Sequence, residues 1–295
     1  MPATGLIGLG RMGTPICANL VAAGFSVAVF DADPGREQAA SACGASWRSS
    51  AREVAADAEV LLTVLPGPAE VQDVMDAAVL EALAPGSTWI DMSSNSPAAA
   101  APIRERARAR GIGVLEAPIG GGPADAAAGR LRLFVGGDRD LLDRHRALLT
   151  AVADPELITH TGGHGTGYTL KLLVNLLWFG QAVATAEALL LGSRAGIDLT
   201  VLRDTLAGSA AGSEFIRRDL PALFAGDYLA SFGLDHIHDQ LAMVTALARD
   251  LGTPHDLSET VRLLHQQALE RYGPVDGELL AVALLEERAG VQLRP

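Results

Sequence analysis

The chain has 295 residues, 49% of them hydrophobic and 20% charged, with a formal net charge of -12. That length gives one or two domains with a sizeable core, and that composition excludes a disordered chain. The acidic balance excludes nucleic acid and an anionic membrane as partners.

The first half alternates short apolar runs with helical patterns. Leu6–Leu9 reads as a buried strand and Met12–Ala23 as a helix. Ser26–Phe30 is a second strand, with a helix after Pro34. Glu59–Leu65, Thr88–Met92, Gly113–Glu116 and Leu131–Val135 are further strands with helices between them. Such alternation predicts right-handed crossovers and a doubly wound parallel sheet covered on both faces. From about His164 onward the pattern is helical with no strand, punctuated by Asp198, Pro221, Gly226-Asp227 and Gly252-Thr-Pro. The expected fold class is therefore α/β: residues 1–163 form a dinucleotide-binding domain, and residues 164–295 an all-helical one entered by a long helix over 164–194. Cys17 and Cys43 fall in core-helix patterns and give no disulfide framework, which predicts inert thiols and a cytoplasmic chain. No segment has 18 uninterrupted apolar residues and no basic leader precedes the first strand. Neither a membrane span nor a signal peptide is expected.

Gly8-Leu9-Gly10-Arg11-Met12-Gly13 lies between the first strand and the first helix. There Gly8 permits a tight turn, Gly10 lets the backbone approach a pyrophosphate, and Gly13 lets helix pack on strand, with the helix N-terminus facing the anion. Asp31 closes the second strand. Its carboxylate either binds the ribose hydroxyls of NAD, repelling a 2′-phosphate, or caps the next helix. Ala32 follows it, and Arg36 leaves NADP open. With strand, helix and acid in register, the segment predicts dinucleotide binding, NAD preferred over NADP.

Three loops follow predicted strands: Leu65-Pro66-Gly67-Pro68, Asp91-Met92-Ser93-Ser94-Asn95-Ser96-Pro97 and Ala117-Pro118-Ile119-Gly120-Gly121-Gly122-Pro123. In a doubly wound sheet these crowd the carboxyl edge, where small hydroxyls and bare glycine amides suit a carboxylate or a nicotinamide amide. Each taken singly is also an ordinary turn, and Ser96 is placed to cap a helix.

The Lys+Arg total is 23, and Lys171 is the single lysine among them. It sits in Gly165-Thr-Gly-Tyr168-Thr-Leu-Lys171-Leu-Leu-Val-Asn175, an apolar helical stretch. Lysine surrenders a proton near neutral pH when its surroundings lower its pKa, and arginine does not. A solitary lysine there suggests proton transfer; the alternative is a side chain that snorkels to solvent. His236 and His238, with Asp235 and Asp239, lie on differing helix faces without a further ligand cluster, so no metal is expected.

In order and spacing, these motifs, with Ala186-Glu187-Ala188 and Gly196-Ile-Asp198, resemble the β-hydroxyacid dehydrogenases related to 3-hydroxyisobutyrate dehydrogenase and tartronate semialdehyde reductase. The resemblance covers nearly the whole chain. It implies a Rossmann domain, a long interdomain helix, a helical domain that forms dimers or tetramers, and reversible oxidation of a 3-hydroxy acid to its semialdehyde. It assigns Lys171 as general acid/base and Asn175 as its partner. Leu65, Pro66 and Ser94 then fall at the cofactor, with Ser94, Gly120, Gly121 and Gly122 around a small anionic substrate.

Two positions depart from the family pattern. Gly120 stands where a serine usually helps hold the substrate carboxylate, and His238 stands where a lysine precedes aspartate. His238 is open to three readings: a substrate contact, a second titrating group or an interfacial side chain. The alternatives to the hydroxyacid activity are an imine reductase, whose relatives carry Asp or Tyr at the position of Lys171, and a non-catalytic dinucleotide-binding protein.

Overall fold

The structure, a computed structural model, describes residues 1–295. The chain divides into two compact units, Met1–Lys171 and Leu172–Pro295. The first contains β1 (Thr4–Ile7), α1 (Gly13–Ala22), β2 (Val27–Phe30), α2 (Glu37–Ala42), β3 (Ser46–Trp47), α3 (Ala51–Ala56), β4 (Val60–Thr63), α4 (Pro68–Val74) and α5 (Ala77–Ala82). It continues with β5 (Thr88–Asp91), α6 (Pro97–Ala109), β6 (Gly113–Glu116), β7 (Ile119–Gly120), α7 (Pro123–Ala127), β8 (Leu131–Gly137), α8 (Arg139–Thr150) and β9 (Ala153–Gly162).

Six strands run parallel in the order β3-β2-β1-β4-β5-β6. The expected doubly wound sheet is present there, and it then becomes mixed. β8 runs antiparallel to β6 and β7, and β9 pairs parallel with β8. The segment from 121 to 130 is too short for the crossover that a parallel return requires, so the chain folds back instead.

Successive residues of the central strands face opposite sides. Leu6, Leu62, Ile90 and Leu115 join a core with Ile16, Leu20, Leu142 and Leu149 of α1 and α8. Ile7, Leu61, Trp89 and Val114 join a second core with Val54, Val71, Leu80 and Ile103 from α3 to α6. Both faces are thus dry, as a parallel sheet needs.

Several local expectations shift. The first strand ends at Ile7, not Leu9, because Gly8 turns the backbone at φ +98. The second begins at Val27 rather than Ser26. β3, β7 and β9 were not foreseen. Asp33, not Asp31, caps the turn at Pro34, and Ser96 caps α6 as expected. Cys17 is buried, but Cys43 lies half-buried at the C-terminal end of α2, its sulfur 3.6 Å from that of Cys17. Burial pushes the Cys17 thiol up.

The helices that follow are α9 (Thr166–Arg194), α10 (Leu199–Ala207), α11 (Glu214–Arg218), α12 (Leu220–Phe224), α13 (Leu234–Asp250), α14 (Asp256–Tyr272) and α15 (Leu280–Ala289). Asp198 and Ser213 cap α10 and α11 with their side chains. α9 is the one helix long and apolar enough to cross a membrane, by length and composition. One face of it lies in the core: Tyr168, Leu172, Phe179, Ala182, Ala186 and Leu189 are all buried.

Candidate active site

The β1–α1 turn gives each glycine a distinct task. A Cβ on Gly13 would stand 1.9 Å from the Gly8 carbonyl oxygen, and one on Gly8 would stand 2.3 Å from the Val64 carbonyl oxygen. Those two glycines exist for backbone packing. Gly10 has nothing within 4 Å of its missing Cβ, so it is open on the outer side of the turn. α1 has no side-chain cap and no acidic residue in its first turn. Its free N–H groups and positive dipole end are therefore left for an anion. An open glycine beside a bare helix N-terminus fits the pyrophosphate of a dinucleotide. Leu9 is buried, Met12 half-buried and Arg11 exposed along this turn.

Asp31 leaves β2 beside the same turn. Its Oδ2 accepts the Leu9 N–H at 2.5 Å, and its Oδ1 accepts the Asp33 N–H at 2.8 Å. The carboxylate thus ties the glycine turn to the β2 edge and stays half-exposed at the rim. Arg36 pairs with Asp33 at 3.3 Å.

The β4 and β5 loops are stitched together, since the Leu65 N–H donates to Ser93 Oγ at 3.0 Å. Pro66 is exposed, and Ser94 is half-buried next to Ser93. Gly120 lies in β7, opposite Arg132, and a Cβ there would press on the Phe134 ring and the Arg132 Cβ at 3.3 Å. Gly121 turns at φ +105, the Gly122 N–H donates to Asp125 Oδ2 at 3.1 Å, and nothing stands within 4 Å of a Cβ on Gly122.

Beneath these loops lies a buried polar network that sequence reasoning missed. Asp91 is fully buried and accepts four donors: Thr63 Oγ1 at 2.8 Å, the Ser93 N–H at 3.0 Å, Asn95 Nδ2 at 3.3 Å and the Tyr168 hydroxyl at 2.7 Å. Burial raises its carboxyl pKa, against the lowering effect of those donors. The Tyr168 phenol is pushed well above its ordinary value by burial and by Asp91. Glu116, paired in register with Asp91 on the next strand, accepts the Gly165 N–H at 2.5 Å. Its Oε2 is buried without a partner, and burial raises this carboxyl too. The available signal was an acid at the inner end of each of two buried strands, where a charged residue needs partners.

Lys171 lies in the second turn of α9, three residues after Tyr168, and is half-buried. Asn175 follows one turn later on the same helix, so the pair shares a helix face. In the helical unit the Asn175 side-chain amide donates to Gln240 Oε1, and Gln240 is buried. His238, on the same helix as Gln240, holds its Nδ1 3.6 Å from Asp239, while its Nε2 is buried without a partner.

Residues 3–163 match the family described as the NAD binding domain of 6-phosphogluconate dehydrogenase. Residues 165–285 match that described as NAD-binding of NADP-dependent 3-hydroxyisobutyrate dehydrogenase. The chain belongs to the β-hydroxyacid dehydrogenase family. Among its relatives is the NAD-dependent L-serine dehydrogenase of Pseudomonas aeruginosa, 37% identical over 70% of either chain. The 3-sulfolactaldehyde reductase of Escherichia coli K12 is 30% identical over 91% of this chain and 90% of its own. The solved structure of the Mycobacterium tuberculosis 3-hydroxyisobutyrate dehydrogenase with L-serine superposes with a TM-score of 0.87 at 29% identity, covering 96% of this chain and 99% of that one. This β-hydroxyacid dehydrogenase is an oxidoreductase of CH–OH groups that uses a nicotinamide dinucleotide.

Proposed function

We propose that the chain interconverts a small 3-hydroxy acid, or a related anionic alcohol, and its semialdehyde, with Lys171 as general acid/base. The observation that carries this reading is the placement of the chain's single lysine at the start of α9, on the helix whose first turn is seated at the carboxyl edge of the sheet. The dinucleotide supplies the hydride acceptor or donor. Lys171 Nζ takes the hydroxyl proton as the carbinol C–H bond breaks, and returns it when the carbonyl is reduced. Asn175, its amide oriented by Gln240, holds the substrate oxygen against the lysine. Gly8, Gly10 and Gly13 shape the pyrophosphate turn, with Leu9, Arg11, Met12, Leu65 and Pro66 along the dinucleotide and Ser94 between cofactor and substrate.

NAD is the preferred cofactor in this proposal. What supports this is the Asp31 carboxylate at the end of β2 beside the glycine turn, and the pairing of Arg36 with Asp33. The substrate carries an anionic group. The buried, unpartnered Nε2 of His238 supports a contact to it, and the open side of Gly122, next to Gly120 and Gly121, supports a second. The helical unit pairs with another copy as a homodimer, or twice over as a tetramer. Leu173, Val174, Leu177 and Leu191 of α9 and Val201 of α10 are exposed apolar side chains. Two free thiols and no disulfide fit the cytoplasm.

The test is Lys171→Arg, assayed with NAD and a panel of L-serine, 3-hydroxyisobutyrate and sulfonated analogues. The guanidinium keeps the charge but never gives up its proton, so it cannot act as acid and base, and turnover should fall on the order of a hundredfold or more. Binding of NADH, followed by fluorescence, should stay within about twofold, since only the proton-transfer group is changed. Near-normal turnover in the variant, with chemistry rate-limiting, would remove the lysine from its role.

A further inference from the structure

The start of α9 is held in three ways within the first unit. The turn that enters it is fixed by Glu116, whose Oε1 accepts the Gly165 N–H, with the Gly167 and Tyr168 amides also favouring the charged carboxylate. The rotation of the helix is fixed by Tyr168, whose hydroxyl donates to Asp91. Its height over the sheet is fixed by contact of backbone on backbone. A Cβ on Gly167 would stand 2.5 Å from the Phe134 carbonyl oxygen, and one on Gly136 would stand 2.8 Å from the Gly167 nitrogen. Asp91, Glu116 and Tyr168 are each 1% exposed or less, so none of them can meet a substrate arriving from solvent. Lys171 stands three residues beyond Tyr168, a helical neighbour on the next turn.

We propose that Asp91 and Glu116, side by side on β5 and β6, form a two-carboxylate socket that sets the entry turn and rotation of α9 and thereby aims the Lys171 amine. They are positioning residues for the reaction. Two buried acids, each at the carboxyl end of a strand, are an expensive way to hold a helix. What they provide is directional: a carboxylate meeting backbone N–H groups fixes a helix terminus, and one meeting a phenol fixes its rotation. An apolar contact would leave the helix free to slide and turn by a fraction of a residue. Displacement of about 1 Å at a reacting group is worth on the order of a hundredfold in rate.

This inference rests on Lys171 being the acid/base, yet its main test needs no substrate. The chain contains one lysine, so protein grown with lysine labelled at the ζ-nitrogen gives a single side-chain 15N line. In Tyr168→Phe and in Glu116→Gln that line should shift and its pH-titration curve should change, with NADH still bound. Thr63→Val removes a donor to Asp91 that lies outside α9, and it should leave the line where it was. For an accepted substrate, turnover in Tyr168→Phe should fall roughly ten- to a hundredfold at nearly constant KM for NAD, as expected of a misplaced proton carrier. Glu116→Asp, which keeps the charge, should recover part of the Glu116→Gln loss. The proposal is overturned if the line of the folded Tyr168→Phe protein superimposes on that of the unmodified chain. It is equally overturned if Thr63→Val moves the line as far. Should Glu116→Gln fail to fold, the Tyr168→Phe and Thr63→Val pair decides alone. Failure of Lys171→Arg to lose turnover would instead strike the acid/base assignment, which the nitrogen line does not report.

Discussion

The side-chain amide of Asn175 donates to Gln240 Oε1, from one long helix of the second unit to another. That bond orients the amide: one N–H of the NH2 group goes to Gln240, and the other N–H and Oδ1 remain for a substrate oxygen or hydroxyl. Gln240→Leu should leave the amide free to flip and an NH2 group without its partner. The expected outcome is a loss of about 1–3 kcal/mol in stability, seen in thermal unfolding, and roughly tenfold in kcat. Gln240→Glu keeps an acceptor and should lose less. Equal kcat in all three proteins would show that the amide orientation does not matter.

Asp31 ties down Leu9 and, in the proposed site, meets the ribose, so its charge and its hydrogen bond must be separated. Asp31→Asn keeps an acceptor for the Leu9 N–H and removes the charge. The ratio of kcat/KM for NAD over NADP should fall by roughly ten- to a hundredfold, as repulsion of the 2′-phosphate is relieved. Adding Asp33→Ala, which releases Arg36, should lower it further. An unmodified protein that uses the two cofactors equally would contradict the role given to Asp31.

The glycine turn makes a paired prediction. Gly13→Ala forces a methyl group against the Gly8 carbonyl at 1.9 Å and should destabilise the first unit by several kcal/mol, or prevent its folding. Gly10→Ala meets open space and should leave the melting temperature unchanged while weakening NADH binding by about tenfold, through loss of close approach to the phosphate. Identical melting losses in both would show that Gly10 is structural as well.

His238 and Gly120 should be exchanged one at a time. His238→Lys supplies a permanent cation and should lower the KM for 3-hydroxyisobutyrate, whereas His238→Ala should raise it. Gly120→Ser must displace the Phe134 ring, so by itself it should lower stability by about 1–3 kcal/mol. A KM indifferent to both His238 variants would place the acid-binding group elsewhere.

His265 is buried, its Nδ1 within 2.9 Å of the Val261 carbonyl oxygen and its ring against Phe179, and burial lowers its pKa from 6.5 to about 4. The folded state therefore binds fewer protons than the unfolded state between those values. Stability from this group is full above pH 6.5 and is lost as pH falls towards 4, by an amount on the order of a few kcal/mol. Urea unfolding of His265→Leu at pH 7 and pH 5 should show a smaller acid loss than the unmodified chain. Parallel losses in the two proteins would mean that the acid sensitivity arises elsewhere.

The parallel half of the fold was legible because three signals coincide at one place: an apolar run, a glycine turn and an acid at the end of the next run. The helical half was legible from its periodicity and from caps such as Asp198. β9 was hidden by Asp154, Pro155 and Glu156, which interrupt any alternation, and its pairing to β8 is broken by register shifts. β3 and β7 are two residues long and leave no pattern. At the site, Lys171 and Asn175 are four apart on one helix and could be read together. The Asp91–Tyr168 bond joins residues 77 apart, and the Glu116–Gly165 bond residues 49 apart. Only the folded sheet brings those together. The Asn175–Gln240 bond was unread for the same reason: Asn175 was singled out and Gln240, 65 residues on, was not.

Confining the chain's lysine to position 171 also bears on what happens to the product. An aldehyde released into water condenses with primary amines and slowly decorates any protein rich in exposed lysine. Here the other cations are guanidinium groups, always protonated and with no amine free to condense. Apart from the N-terminal amine, the only nucleophilic nitrogen of that kind is the Lys171 amine, to which the proposed mechanism gives the proton of the same carbonyl. An enzyme that makes a semialdehyde in this setting carries a coat its own product cannot easily mark.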